Sequence, residues 1–540
     1  MTPFMSKETG NKLNVDAIFD RINPISPYGK QQKKDMPVYR PGQEHLLKEE
    51  YGLMSYMEKY YVDREVISVL NHSKDIGESI NRAVNGEVLS VVELFEVKHF
   101  AMNTMRILKT FRDNKFYDSI RIESLMDMVD LLDPAKERLS TFYIYDDYSE
   151  ALKEVREQKN EVNHELKRLT KNVKDRLLAE YKGMGLRLSL KGDAHVNKSE
   201  ERLLQRLDED HRVYRSSQSV TSIVFSIRHT EEMSKLEVTY NDLKAKEEDE
   251  EYAVMAKLSK AIGERQESFR KNFEALGKID LVLAKLRQAK GTNAIMPTIV
   301  ENHCIRITNG RHVKTEEVQK KKEKSYTPVS IQLDVPTTSI TGANMGGKTV
   351  TLKMIGQIAW AVAMGLYVPA EACTMGLSNY LFISIGDEQS VERGLSTFGA
   401  EIENLAKAFQ FVNDRSLILI DELAGGTNPM EGYGITRSVI EFLSDKDSLS
   451  VITTHFDQAA GDKVQRLQVA GLKKIDLKQL EAELIENPDK GMDIISENMD
   501  YRLIPADLGE TVPKDAINIA ELMGMQKEII ERAKKYVEGM

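Results

Sequence analysis

The stretch ITGANMGGKTVTLK, residues 340–353, decides the fold. Its segment from Gly342 to Thr349 fits the pattern G-x-x-x-x-G-K-[ST], in which glycines let backbone N–H groups curl around phosphate oxygens. Lys348 would place a positive charge on the terminal phosphates, and the Thr349 hydroxyl could reach a magnesium ion. A strand-like segment precedes this loop and an apolar helical segment follows it. This context predicts a nucleotide-binding α/β domain.

Two further apolar segments end in residues that suit nucleotide hydrolysis. LILIDE, residues 417–422, closes on Asp421 and Glu422. Asp421 would hold the metal through water, and Glu422 would orient or deprotonate the attacking water. SVITTH, residues 450–455, closes on His455, which can sense the γ-phosphate. Taken alone, His455 would be a core or capping histidine, and the order of the three motifs favours the switch role.

A glycine followed by two small hydroxyl residues lies between these motifs. In GLSTF, residues 394–398, Ser396 and Thr397 can cap a helix or bind a phosphate. From the residues alone, helix capping is the better interpretation.

Composition narrows the class of protein. The 540 residues predict two to four domains, and the net charge of -10 means that any nucleic-acid contact must come from a local basic patch. The two cysteines offer neither a disulfide framework nor a metal-ligand spacing, which fits a reducing compartment. The segment between Lys353 and Glu371 is uncharged but short and glycine-interrupted, so it predicts a buried helix. We therefore expect a cytoplasmic protein without a membrane partner.

The chain divides into regions that differ in their sequence patterns. Residues 1–40 are polar and predict a loosely ordered segment, and residues 148–288 are densely charged and predict long helices around a small basic tip. After residue 294, strand-like segments alternate with helical ones, which is typical of a parallel α/β domain. The expected strands are Val329–Leu333, Thr338–Thr341, Leu417–Ile420 and Leu449–Thr453. Residues 514–540 predict a helical hairpin.

Together, the motifs resemble the ATPase core of the MutS family. The resemblance rests on residues 340–353, on IGDEQSVERGLSTF (385–398), on LILIDELAGGTNPMEGYG (417–434) and on VITTHFD (451–457). It extends upstream to NGEVLSVVELFE (85–96) and IDLVLAKLRQA (279–289), which look like lever helices. The chain is most similar to the branch that lacks a mismatch-recognition domain and usually ends in an Smr nuclease module. We expect neither module in this chain.

The resemblance implies a multi-domain α and α/β fold, with lever and clamp helices followed by a P-loop ABC-type ATPase domain and a C-terminal helical hairpin. The implied boundaries are 1–40 for the polar segment, 41–295 for the core and lever domain with a clamp at about 160–265, 296–475 for the ATPase domain, and 476–540 for its C-terminal part and a helical dimerisation region.

The resemblance also assigns roles in a site for ATP and Mg²⁺. Nucleotide contacts are implied for Gly342, Asn344, Gly346, Gly347, Lys348, Thr349 and Val350. Thr349 and Asp421 would hold the metal, and Glu422, His455 and Lys348 would be catalytic. Ser396 and Thr397 would act on the ATP of a partner in a homodimer. Tyr326 lies where the family often places a ring on adenine.

The ligand of the motor is open at the level of sequence. One hypothesis is a dimeric clamp on double-stranded or branched DNA, acting in mismatch repair or recombination. The alternative is an ATP-dependent protein-remodelling factor, such as a reactivase of a cobalamin-dependent aminomutase. The expected DNA contacts are basic residues of the clamp, although a solvated helix face explains them about as well: Lys167, Arg168, Lys171, Lys174, Arg176, Lys182, Arg187 and Lys191.

Overall fold

The computed structural model describes most of the chain, and that part divides into two compact units. The described residues are 3–60, 64–111, 120–137, 141–342, 347–386, 397–425, 427–456, 459–461, 463–471, 480, 494–495, 497–506 and 515–538. The first unit comprises residues 1–72 and 274–540, and the second comprises residues 73–273.

The first unit begins with five helices. They are α1 (Lys7–Leu13), α2 (Asp16–Phe19), α3 (Pro27–Lys34), α4 (Glu44–Tyr60) and α5 (Arg64–His72). Leu13, Ile18 and Ile22 are fully buried. The expectation of a loosely ordered segment is therefore wrong for residues 3–34, because a few well-spaced apolar side chains suffice to fix a polar segment when they pack onto a neighbouring core.

The second unit contains long helices and a small sheet. Its elements are α6 (Gly77–Val84), α7 (Val91–Phe111), α8 (Met126–Leu132), α9 (Glu150–Glu180), β1 (Ala194–Asn197), α10 (Glu201–Glu209), β2 (Val213–Gln218), β3 (Ser222–Ile227) and α11 (Glu231–Glu264). The charged helices α9 and α11 are joined by Arg156, whose guanidinium lies 3.0 Å from Glu247 and 2.5 Å from Glu251.

The small sheet of the second unit is antiparallel, with the strand order β1-β3-β2. Alternate residues of β3 are buried, and Ile223, Phe225 and Ile227 pack with Leu203 and Leu207 of α10. This alternation is expected of an antiparallel sheet that covers a core on one face only.

A long helix, α12 (Gln266–Gly291), returns the chain to the first unit. The following elements are β4 (Thr298–Val300), β5 (Ile305–Gly310), α13 (Val313–Lys321), β6 (Val329–Leu333), β7 (Thr337–Thr341), α14 (Lys348–Ala363), β8 (Ala372–Gly376), β9 (Tyr380–Ser384), α15 (Thr397–Ala408), β10 (Ser416–Ile420), α16 (Pro429–Ser444), β11 (Ser448–Thr453), β12 (Gln465–Gly471), β13 (Asp500–Pro505), α17 (Asp515–Leu522) and α18 (Lys527–Glu538).

Six of these strands form one sheet in the order β13-β12-β7-β11-β10-β9. All neighbouring pairs are parallel except β12 with β13. The strands β7, β10 and β11 are buried along their whole length. A parallel sheet covered on both faces explains why every position of these strands is buried, with no alternation.

The expected strand Val329–Leu333 forms, but it belongs to a different sheet. It is β6 of a four-stranded sheet with the order β4-β8-β5-β6, where it pairs antiparallel with β5. Its burial alternates along the strand, as one-sided packing requires.

Helix α14 occupies the interior of the first unit. The expected buried helix after Lys353 is therefore present, and every residue from Thr351 to Ala363 except Lys353 is buried. At Gly356 a Cβ atom would collide with Leu13 of α1 and meet Leu419 of β10 at 3.0 Å. Glycine is needed here because α14 lies tightly between the N-terminal segment and the sheet.

Candidate active site

The predicted motifs converge at one edge of the six-stranded sheet. β7, β11 and β10 are adjacent and parallel, so their carboxyl ends meet at that edge. Thr341 ends β7, Asp421 follows β10, and Thr453 ends β11. In open α/β sheets the crevice outside the carboxyl ends of the strands is the usual ligand site.

The glycines that flank the start of α14 have backbone conformations that suit an anion site. Gly342 has φ of +135° and Gly347 has φ of +73°, which side chains with a Cβ rarely adopt. Gly347 is the N-cap of α14, so the positive dipole end of a 16-residue helix faces this edge. A Cβ on Gly347 would lie 3.0 Å from the ring of Tyr501.

Lys348 is buried at this edge, with its side chain 2% exposed. Its Nζ donates a hydrogen bond to the carbonyl of Gly342 at 2.7 Å and lies 3.4 Å from Oε1 of Glu422. Burial lowers the pKa of Lys348, and the carboxylates of Glu422 and Asp421 partly offset that effect. The amino group thus lies beside the backbone of Gly342, at the carboxyl end of β7.

Two hydroxyl groups donate to the carboxylate of Asp421. Thr349 Oγ1 donates to Oδ2 at 2.5 Å, and Thr453 Oγ1 donates to Oδ1 at 2.6 Å. Carboxylate and hydroxyl oxygens are hard ligands of the kind that Mg²⁺ selects. No cluster of three or more His, Cys, Asp or Glu residues suited to a metal ion occurs in the described ranges. A magnesium ion held by Thr349 and Asp421 would therefore complete its shell with phosphate and water oxygens.

Glu422 occupies a left-handed backbone conformation, with φ of +49°. Its side chain is 37% exposed, and Oε1 lies 2.9 Å from Nε2 of His455. The hydrogen bond from His455 is the main cause that lowers the pKa of Glu422, with a further contribution from Lys348. A partly exposed carboxylate that stays ionised is suited to accept a proton from water.

The structure brings together Lys348, Thr349, Asp421, Glu422 and His455, and their roles in a nucleotide site stay predictions. Gly342, Gly347 and Val350 belong to the same loop and helix start. Asn344, Gly346 and Ser396 lie outside the described residues, and so does the side chain of Thr397, which begins α15. Roles for these residues stay predictions.

Tyr326 makes its described hydrogen bond elsewhere. Its hydroxyl accepts the backbone N–H of His312 at 3.0 Å, and burial is the main cause that raises its pKa. The ring found against the glycine loop is that of Tyr501, on β13. The adenine role of Tyr326 stays a prediction.

Sequence reasoning missed Thr453 and Tyr501. Thr453 stands two residues before His455, within a stretch already singled out, and its place at the strand end was the available signal. Tyr501 follows a segment without any motif, so no sequence signal pointed to it.

The basic residues expected to contact DNA lie in the second unit. Lys167, Lys171, Arg176, Lys182, Arg187 and Lys191 are exposed. Arg168 is also exposed and pairs with Glu165, whereas Lys174 is half-buried and donates to the carbonyl of Leu190. Seven of the eight positions are therefore exposed, but acidic neighbours occur among them.

Among the helices that the structure describes, none combines the length and the apolar character needed to cross a lipid bilayer.

Comparison with known proteins finds one matching protein family and several similar proteins. The MutS domain V family matches residues 338–540. The chain is 27% identical over 477 residues to endonuclease MutS2 of Acetivibrio thermocellus, covering 86% of this chain and 56% of that protein. It is 29% identical over 481 residues to endonuclease MutS2 of Clostridium botulinum, with the same coverage. For endonuclease MutS2 of Pelotomaculum thermopropionicum, the identity is 32% over 298 residues, which is 55% of this chain and 35% of that protein. The chain thus spans about half the length of the curated relatives it matches.

Proposed function

We propose that this chain, which is similar to the MutS family, is a P-loop ATPase that hydrolyses ATP with Mg²⁺ at the edge formed by β7, β11 and β10. The observation that carries the proposal is a set of contacts at this edge. Lys348 and His455 both contact Glu422, and Thr349 donates a hydrogen bond to Asp421.

In this proposal each residue has one task. The N–H groups at the start of α14 and the Lys348 amino group bind the β- and γ-phosphates. Thr349 and Asp421 hold the magnesium ion, which neutralises charge on the phosphate oxygens. Glu422 orients the water that attacks the γ-phosphorus and accepts its proton. One P–O bond forms as the bond to the bridging oxygen breaks, which releases ADP and phosphate. His455 holds the Glu422 carboxylate in place.

The test is steady-state ATP hydrolysis by the purified protein over a range of Mg²⁺ concentrations. We expect Glu422→Gln to lose hydrolysis while it still binds ATP, because the amide cannot accept the proton. Glu441→Gln is the matched control, since Glu441 is an exposed glutamate on α16 that pairs only locally with Arg437. Equal rates for the wild type and Glu422→Gln would contradict the proposal.

We further propose that the protein acts as a homodimer on double-stranded or branched DNA. The relatives' names describe them as endonucleases, and the exposed basic residues of the second unit supply charges that suit DNA phosphates. Because the chain spans 56% or less of each of these relatives, the proposal does not extend to nuclease activity. No observation here favours the protein-remodelling alternative.

DNA binding is tested through its dependence on salt. Replacing Lys171, Arg176 and Lys182 by Gln should weaken binding and reduce the slope of log K against log salt by about one for each lost phosphate contact. The charge-matched control replaces Lys320, Lys321 and Lys322, exposed residues of the first unit. Equal losses in both variants would mean that only net charge matters.

Light scattering of Glu422→Gln with and without ATP measures the oligomeric state.

A further inference from the structure

Thr453 lies directly behind the two acidic residues of the candidate site. It ends β11 and is completely buried. Its hydroxyl donates to Oδ1 of Asp421 at 2.6 Å and accepts the backbone N–H of Glu422 at 3.0 Å. The carbonyl of the same residue also accepts that N–H, at 3.2 Å. One threonine therefore contacts both acidic residues.

The direction of these bonds follows from the chemistry of a hydroxyl group. A hydroxyl has one proton to donate, and here the proton points to Asp421. A lone pair of the same oxygen is then left for the N–H of Glu422. One oxygen atom therefore contacts both the Asp421 carboxylate and the Glu422 backbone.

Both acidic residues need such support. Glu422 has φ of +49°, a strained conformation for a residue with a Cβ, which persists only when its surroundings hold it there. Asp421 is buried, and its second oxygen is already bound by Thr349. With both oxygens held by threonine hydroxyls, the plane of the carboxylate is fixed before any metal arrives.

We infer that Thr453 is a positioning residue of the ATP site, which acts through Asp421 and Glu422 by setting the spacing between the metal ligand and the water-activating carboxylate. The inference rests on the proposed ATP hydrolysis. Thr453 and His455 thus have separate tasks in the site, although they are only two residues apart in the chain.

The experiment compares Thr453→Val, Thr453→Ser and Thr337→Val in the full-length chain. Valine keeps the volume of Thr453 and removes its hydroxyl, and serine keeps the hydroxyl. Thr337 is the matched control, because it is fully buried on the adjacent strand β7 and its hydroxyl has no hydrogen-bond partner in the described structure. For each variant we would measure kcat against Mg²⁺ concentration, and ATP binding in EDTA.

We expect Thr453→Val to lower kcat about 10- to 100-fold and to raise the Mg²⁺ concentration needed for half-maximal activity, as is typical when a group that orients a metal ligand is lost. ATP binding in EDTA should stay near the wild-type value, because the phosphate contacts of Lys348 and α14 remain. Thr453→Ser should recover most of the rate, and Thr337→Val should resemble the wild type.

Three results would overturn the inference. They are wild-type kcat and Mg²⁺ dependence in Thr453→Val, no recovery in Thr453→Ser, or an equal loss in Thr337→Val, which would assign the effect to packing. If Thr453→Val fails to bind ATP in EDTA, Thr453→Cys replaces it, since a thiol is only a weak donor. A wild-type protein that hydrolyses no ATP would instead refute the proposed function.

Discussion

Two buried lysines, one in each unit, illustrate how the same residue type can serve stability or chemistry. Lys98 of α7 is 1% exposed, and its amino group lies 3.0 Å from Asp133, 3.0 Å from the carbonyl of Thr141 and 3.5 Å from the hydroxyl of Tyr145. Asp133 is itself 2% exposed. This ion pair is enclosed on both sides, so its charges are compensated by the protein alone.

Lys348 of the first unit is buried to a similar extent, but its acidic partner is not. Glu422 is 37% exposed, lies 3.4 Å from the Lys348 amino group and is shared with His455. A charge whose partner is open to solvent can exchange that partner for an incoming phosphate. The two lysines are similarly buried, so the exposure of the acidic partner is what distinguishes the candidate site from the enclosed ion pair.

The largest effect should come from breaking the enclosed pair. Lys98→Met should lower the free energy of unfolding by about 3–5 kcal/mol, because it leaves the buried Asp133 carboxylate without its cation. Thermal and urea unfolding measure the loss. The double variant Lys98→Met with Asp133→Leu should recover much of it, since an apolar pair of similar volume is often neutral. A double variant as unstable as the single one would show that the ion pair itself stabilises the unit.

The open pair should respond in the opposite way. Lys348→Met should reduce ATP hydrolysis by about 10²–10³-fold, the typical cost of losing one preorganised charge at a reacting group. Its unfolding should change little, because Glu422 is partly exposed and still contacts His455. Parallel measurements of kcat and unfolding separate the two variants. Strong destabilisation of Lys348→Met without loss of hydrolysis would reverse the comparison.

A third buried lysine allows a further comparison of the stability that a buried ion pair contributes. Lys285 of α12 is fully buried, pairs with Glu50 and donates to the carbonyls of Met364 and Gly365, at 3.0 and 3.4 Å. These carbonyls follow the C-terminal end of α14, where a cation is favourable. Lys285→Met should cost about 1.5–3 kcal/mol of stability, less than Lys98→Met, because Glu50 keeps its bond from the Tyr39 hydroxyl. Comparing the urea midpoints of the two variants checks the order.

The smallest expected effect is on the pKa of Glu422, the acidic residue that contacts both Lys348 and His455. The hydrogen bond from His455 lowers the pKa of Glu422, so the carboxylate should persist to a lower pH than an ordinary glutamate. Activity should therefore be lost only as pH falls through that lowered pKa. His455→Gln should raise the pKa and shift the acid limb of the kcat/KM profile to higher pH. An unshifted acid limb would mean that His455 does not control the ionisation of Glu422.

The sequence predicted the part of the fold that follows from short-range patterns. β10 and β11 coincide within one residue with the apolar runs Leu417–Ile420 and Leu449–Thr453, because strands buried on both faces need continuous apolar side chains. The convergence of Lys348, Asp421 and His455 also followed, since adjacent parallel strands end at the same edge of the sheet.

What the sequence did not reveal depends on partners that are distant in the chain. No sequence signal marks Lys98 and Lys285 as buried, because their partners Asp133 and Glu50 are remote from them in sequence. The strands β2 and β3 were missed because densely charged helical segments surround them, and the alternation of β3 appears in its burial and not in its sequence SIVFSI. Thr453 was passed over for the neighbouring histidine, because its role depends on two bonds made across the sheet.

The division of the first unit into two chain segments has a consequence for synthesis. Leu13 packs against α14, and Ser26 donates to the buried carboxylate of Asp280, so the N-terminal segment needs residues made much later. At 5–20 residues per second, translation of residues 73–273 takes about 10–40 s, during which the second unit can fold while the apolar side chains of α1 and α2 stay uncovered. Nascent chains of this protein should accordingly recruit holding chaperones to α1 and α2, and a fragment that starts at residue 73 should lack the contacts that Leu13 and Ser26 make with α14 and Asp280.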